Sequence, residues 1–494
     1  MKDKNISVLT RRDFLRRAAC AAVGTVAMTS AIRDLRFMNA AVAQSNISDY
    51  KALVCIFLQG GNDANNLIVP TLASDYTNYA NIRTPVLALP QSSILPVTSL
   101  NSNGQTYGLH PSCPELQALF GEGKLAMLFN TGTLVYPITR AQYLSGSAAK
   151  PPQLFSHADQ QTQWQTSLPD QPPATGWGGR CADLLNAVQP GAPISLMVSL
   201  AGSNTFEVGN LISQYSVSTS GAISLAMPGT PSGGANTNRL PTLMNILGLP
   251  YSNLQAQAYA KVAEHAINTS SLLNNAISNT ATASYWTNAF PTKITPPPGG
   301  TAFTSTLSPQ LQMVARLIAA GSTAAANGGF GMKRQIFFCQ VGGYDLHSGQ
   351  TNYSNTTPSN VLLGAHTNLL AELSQSMYAF QRAMEQLGLS NNVTSFTASD
   401  FGRTFPSNGQ GSDHGWGSHH LILGGAVKGQ RTYGQFPALT VNGPNDTSTG
   451  RWIPTTAIDQ YFATLATWFG IDSSNLATVF PNIGRFASPN LGFI

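Results

Sequence analysis

Apolar residues along the 494-residue chain fall into short continuous runs separated by turns rich in Gly, Asn and Asp. Residues 51–59 (KALVCIFLQ) form the clearest run and stop at Gly60-Gly61. A run of this length closed by a glycine turn predicts a central strand buried on both faces. Residues 124–130 (KLAMLFN), 195–200, 333–342 (KRQIFFCQVG), 392–398 (NVTSFTA) and 421–426 repeat the pattern. Between these runs the period lengthens to that of a helix, over residues 111–121, 156–166, 178–188, 358–387 and 456–470. In the fourth of these, Leu362, Leu369, Leu373, Met377, Phe380 and Met384 share helical spacing ahead of Gly388. Alternation of strand and helix predicts an α/β sheet with helices on both faces.

Two stretches break this rhythm. Residues 201–310 hold only five Asp, Glu, Lys or Arg and are dominated by Ser, Thr, Asn, Gly and Pro, with one helical stretch around 252–275. They read as an insertion or cap with a neutral polar face, inside a domain spanning residues 48–494. Residues 1–43 carry Arg11-Arg12 followed by Phe14-Leu15, a modest apolar run and Ala41-Val42-Ala43. That is the pattern of a cleaved twin-arginine signal peptide, and the run is too short and too rich in Ala, Gly and Thr to span a bilayer. The expected location is therefore periplasmic or secreted, with the twin-arginine export machinery as a partner. The expected mature chain has no integral membrane segment.

Removing the signal changes the charge balance. The whole chain has 26 Lys+Arg against 21 Asp+Glu; taking away the eight Lys/Arg and three Asp of residues 1–43 leaves 18 of each. The mature chain thus has no basic excess to attract nucleic acid or an anionic membrane. Four cysteines remain, at 55, 113, 181 and 339, and no spacing among them demands a disulfide or a metal knuckle.

Chemistry concentrates where strand-like runs end, as expected of sites in open α/β sheets. Asp63 follows Gly60-Gly61; Ser156 stands at a helix start in LFSHADQQTQW; Asp345 and His347 lie in GGYDLH. The densest stretch, residues 397–430, brings Asp400, Arg403, Asp413, His414, His419 and His420 together. Carboxylates and imidazoles on several loops are a ligand set for a divalent ion: zinc, calcium, magnesium or manganese. Asp63, Asp345, His347, Asp400, Asp413, His414 and His419 are the candidate ligands. One of the adjacent His419 and His420 is expected to pack against the sheet. Ser156 either caps its helix or offers a hydroxyl to an anion held at the helix N-terminus. Arg403 either pairs with Asp400 or clamps a tetrahedral oxyanion.

FLQGGNDANNLIVP, FSHADQQTQW, GGYDLH, SDFGRT, DHGWGSHH and GRWIPTTAIDQYFATLATWFGI, in that order behind a twin-arginine signal, resemble the bacterial "domain of unknown function 1501" family. That family is similar to the alkaline phosphatase and sulfatase superfamily. The resemblance implies an alkaline-phosphatase-like α/β sandwich with a central, mostly parallel mixed sheet. It also implies divalent metal, a first ligand at Asp63, later ligands at Asp345, His347, Asp400, Asp413 and His414, and Ser156 as nucleophile. The superfamily's late Asp-His pair reads Asp400-Phe401 here, with Asp413-His414 as the pair that would compensate. The function implied is hydrolysis or transfer of a phosphate or sulfate ester, borne by a small molecule or a polymer. Two rivals accompany it: an exported binding protein that keeps the fold without catalysis, and a hydrolase in which water attacks.

Overall fold

The computed structural model describes residues 47–189, 191–222, 239–251, 253–278 and 290–494; the signal-peptide segment lies outside them. A ten-stranded sheet runs through the protein. Its strands are β1 (Lys51–Leu58), β2 (Leu125–Gly132), β3 (Met197–Ser199), β4 (Tyr215–Ser218), β5 (Gly221–Ala222), β6 (Arg334–Val341), β7 (Val393–Ser399), β8 (Ser418–Leu423), β9 (Arg431–Tyr433) and β10 (Thr456–Ala457). The order is β9-β2-β8-β7-β1-β6-β3-β4-β5, with β10 also on β2. β1 lies parallel between β6 and β7; β8 is inserted antiparallel between β7 and β2, and β5 turns back antiparallel on β4. The sheet is mixed and mostly parallel, as the family resemblance implies.

β1 shows why its sequence is almost wholly apolar. Successive side chains point to opposite faces of a strand, and both faces here are covered. Ala52, Val54, Ile56 and Leu58 join the core packed under helices α1 (Pro114–Gly121), α5 (Leu307–Ser322) and α6 (Ala365–Gln386). Leu53, Cys55 and Phe57 join the opposite core, with α3 (Trp177–Leu185) and α7 (Ile458–Phe469). Trp177 stacks on Phe462 at 4.6 Å and Phe396 closes on the same ring at 6.0 Å. All four described cysteines are free and buried.

The predicted elements recur with local shifts. The helix expected from residue 358 begins at Ala365, after a 3-10 turn and Gly364, whose φ of 131° no L side chain adopts easily. The strand expected over 421–426 begins earlier, at Ser418, so His419 and His420 both lie within the sheet. Within residues 201–310, β4 extends the main sheet, helix α4 (Leu254–Ile277) packs near α5, and residues 293–304 form a separate two-stranded ribbon. No helix among the described residues is long and apolar enough to cross a membrane.

Asp459, near the start of α7, is fully buried, and among the described residues no Lys or Arg forms a salt bridge with its carboxylate. Burial pushes its carboxyl up to about 7. The folded state then holds a proton that the unfolded chain releases above about pH 4, so this group's contribution falls as pH rises from about 4 to about 7, at ~1.4 kcal/mol per pH unit. Asp459→Asn should therefore flatten the decline of thermal stability over that interval and raise the melting temperature at pH 8. Phe462→Ala, which empties the Trp177 and Phe396 contacts, should cost ~3–5 kcal/mol in denaturant unfolding.

Candidate metal centre

The parallel strands β1, β6 and β7 deliver their C-terminal ends to one edge, and four segments meet there. Gly60 and Gly61 let the β1 loop pass close to the β6 loop. At φ of 114° and 84°, a Cβ on Gly60 would sit 2.4 Å from the Asp345 amide nitrogen, and one on Gly61 2.5 Å from the Phe401 ring. Asp400 follows β7 directly. Beyond it, residues 402–404 pair antiparallel with 413–416, through Gly415 N–H to the Gly402 carbonyl at 2.7 Å and Thr404 N–H to the Asp413 carbonyl at 2.9 Å. This pairing carries His414 over Asp400. The fourth segment is the start of α2 (His157–Thr166).

Three imidazoles and one carboxylate converge. The Nε2 of His414 lies 3.0 Å from that of His157 and 2.9 Å from that of His347. Asp345 reaches all three, at 3.4 Å from His157, 3.2 Å from His347 and 3.3 Å from His414. The far nitrogen of each ring is held by an acceptor. His157 Nδ1 meets the Asp400 carboxylate at 2.6 Å, His347 Nδ1 meets Asp413 at 2.9 Å, and His414 Nδ1 meets the Phe155 carbonyl at 2.7 Å. A carbonyl only accepts, so His414 carries its proton on Nδ1, and the carboxylates impose the same tautomer on His157 and His347.

The consequence is electrostatic. The Nε2 lone pair of His414 faces those of both His157 and His347, and bare nitrogens ~3 Å apart repel unless a cation or proton lies between them. Further protonation is opposed at His414, where burial outweighs the Phe155 carbonyl and the nearby Arg403 charge adds to it, keeping the ring below its usual pKa. Asp345 stays ionised: burial opposes this, but the Arg403 guanidinium overcomes it and holds the carboxyl below the usual range. Asp413 is likewise held low, chiefly by the Asn408 amide at 2.9 Å, against partial burial. His157, Asp345 and His414 form a group that could hold a metal ion, and His347 adds a third imidazole nitrogen to it. Nitrogen donors on rings whose other nitrogen is tied to a carboxylate or carbonyl are the pattern of metal-binding histidines. Tetrahedral zinc at ~2.0–2.1 Å from each ligand needs donors roughly 3.3 Å apart, close to the separations from His414 and Asp345 to the other donors.

A family model described as "Protein of unknown function (DUF1501)" matches residues 50–479. The chain belongs to that family. A comparison of this DUF1501 member with curated proteins finds no match. Among solved structures it is similar to the C-terminal periplasmic domain of EcEptC from Escherichia coli in complex with Zn (TM-score 0.29, 10% identity, 87% of this chain and 85% of that one). It is also similar to the PsFucS1 sulfatase from Pseudoalteromonas sp. (0.30, 10%, 88% and 76%). A third is the phosphonate monoester hydrolase SpPMH from Silicibacter pomeroyi (0.33, 10%, 85% and 74%).

The residues expected to bind metal occupy distinct places in this DUF1501 chain. Asp345, His347 and His414 face the centre. Asp400 and Asp413 stand behind it, each orienting an imidazole; Asp400 also accepts from the Gly60 amide at 3.1 Å and Gln161 at 2.8 Å. Asp63 lies apart, buried in a network with Arg83, with Gln350 at 2.5 Å and with Asn65 at 3.1 Å. His419 also lies apart: its Nδ1 accepts the Asn130 amide at 3.0 Å, its ring stacks on Phe436, and burial pushes it down to about 3. His420 faces the other side of β8, against Trp164. Phe401 supplies an apolar wall, its ring centroid 4.8 Å from His157 and 4.7 Å from His414.

Ser156 is the N-cap residue of α2, yet its hydroxyl does not cap the backbone; it donates to Asp159 at 2.6 Å. Arg403 is buried and pairs with Asp345, not Asp400; Nη2 also donates to the carbonyls of Gly60 and Tyr344, Nε to Gly61 and Nη1 to Ser412. His157 was not among the expected ligands. The signal for it was present in FSHADQQTQW, where it stands beside Ser156 at the helix start and one residue before an alanine.

Added zinc should raise the melting temperature of chelator-stripped protein, since the native state alone presents the converged set. Asp413→Ala should weaken zinc affinity ~10–100-fold in a chelator competition while leaving the fold intact, because Asp413 is exposed and acts through His347.

Proposed function

We propose that this DUF1501 member is an exported metal-dependent hydrolase or transferase acting on a phosphate or sulfate ester. The observation that carries the reading is the convergence of His157, His347 and His414 Nε2 with Asp345 at the C-terminal edge of parallel strands. Those four residues would hold the ion. Three nitrogens and one oxygen favour zinc over calcium or magnesium, which take oxygen-rich shells. A divalent ion bound there supplies Lewis-acid polarisation of an ester oxygen.

The chain's own residues supply the rest. Ser156 is the nucleophile: its Oγ bonds to phosphorus or sulfur as the bond to the leaving oxygen breaks, and its proton passes to Asp159, already its hydrogen-bond acceptor. The α2 N-terminus beside it favours the negative charge that develops there. Asp400 and Asp413 keep two imidazoles in one tautomer, and Phe401 restricts their rotation. The twin-arginine pattern of residues 1–43 supports export of the chain already folded.

Ser156→Ala should abolish turnover of aryl phosphate or sulfate esters by zinc-loaded protein without changing zinc content. Turnover that survives the substitution would assign the attack to water and leave Ser156 a structural role. Protein that takes up no stoichiometric divalent metal would end the enzymatic reading altogether.

A further inference from the structure

We propose that Arg451, rather than Arg403, holds the non-bridging oxygens of a tetrahedral oxyanion at this centre; the inference rests on the ester-site reading above. Arg403 is already committed: its Nε, Nη1 and Nη2 each donate to protein acceptors, and the side chain is buried. Arg451 has the opposite arrangement. Its Nε donates to the backbone carbonyl of His414 at 2.8 Å, and its guanidinium lies over the Phe155 ring, 4.2 Å from the centroid. It therefore touches the residue that carries one candidate ligand and the residue immediately before Ser156. Its two Nη groups have no protein partner among the described residues, and the side chain is only partly buried.

The backbone beneath Arg451 is rigidly set. Asp446 is fully buried and accepts from Gly450 N–H at 2.7 Å, Ser448 N–H at 3.1 Å and Asn442 N–H at 2.7 Å. Gly450 in turn accepts from the Phe405 amide at 2.8 Å, and Trp452 is buried with its indole N–H on Asn65. A guanidinium anchored by one edge, stacked on an aromatic face and presenting two free N–H-bearing nitrogens is pre-organised for bidentate contact with phosphate or sulfate. Little side-chain freedom remains to be lost when the anion binds. The competing role is that of a staple joining Phe155 to the 413–416 segment, and the test separates the two.

Inorganic phosphate and sulfate are titrated calorimetrically into the full folded chain, with and without zinc, for the wild type, Arg451→Met and Arg451→Lys. Methionine keeps an apolar contact with Phe155 but presents no donor; lysine keeps one charge without the fork. The expected result is anion affinity weakened roughly tenfold or more in Arg451→Met, with partial recovery in Arg451→Lys. Zinc stoichiometry should be unchanged, and with an aryl ester KM should rise more than kcat falls. Equal anion affinity in wild type and Arg451→Met overturns the inference, as does wild-type protein that binds neither anion. Failure to take up zinc ends the ester-site reading instead, and the zinc-free titrations then decide the role of Arg451 alone.

Discussion

The side chain of Arg403 is the tie on which the site edge depends. Its guanidinium collects carbonyls from Gly60 and Gly61 after β1, Tyr344 after β6 and Ser412 in the following hairpin, and it pairs with Asp345 at 2.5 Å. Backbone carbonyls at loop ends are costly to bury unpaired. One residue meets four of them and neutralises the carboxylate that completes the histidine group. Charge is scarce in this chain, 10% of residues, and here it is spent at the point where separate loops must be held together. A charge so fully committed inside the protein is a structural element first.

Around that tie, the centre is built in two rings. The inner ring is the three Nε2 atoms and Asp345. The outer one is Asp400, Asp413 and the Phe155 carbonyl, which decide where each imidazole keeps its proton. Phe155 itself has φ of 74°, a left-handed conformation strained for an aromatic residue, and this turn aims its carbonyl at His414. Phe401 packs against the rings of His157 and His414, and His157 itself comes from the first residue of α2.

Much of this architecture was legible in the sequence because the core obeys simple periodicity. β1, β6 and β7 are buried on both faces almost throughout and end in polar turns, and both features follow from their place between two helical layers. The strand-end positions of Asp345, His347, Asp400, Asp413 and His414 followed from the same logic. What periodicity could not provide was distance between loops far apart in the chain. Asp63 and Asp345 look equivalent as acids behind Gly-Gly turns, and only the fold shows one bound to Arg83 and the other to the histidines. His419 and His420 look like ligands beside His414, but strand β8 begins early enough to bury both. His157 was hidden behind the more suggestive hydroxyl of Ser156, since a histidine's role depends on what its two nitrogens meet.

The inner ring also says something about how the protein must be handled as a polymer. His157 and His414 are 257 positions apart, and their imidazoles touch only because the fold sets the start of α2 against the hairpin that follows β7. Asp345, His347 and His414 all come from the C-terminal half of the chain, and His157 alone comes from the N-terminal half, so the full set exists only when the two halves have folded together. The convergence of these donors therefore distinguishes a finished fold from a partly folded one.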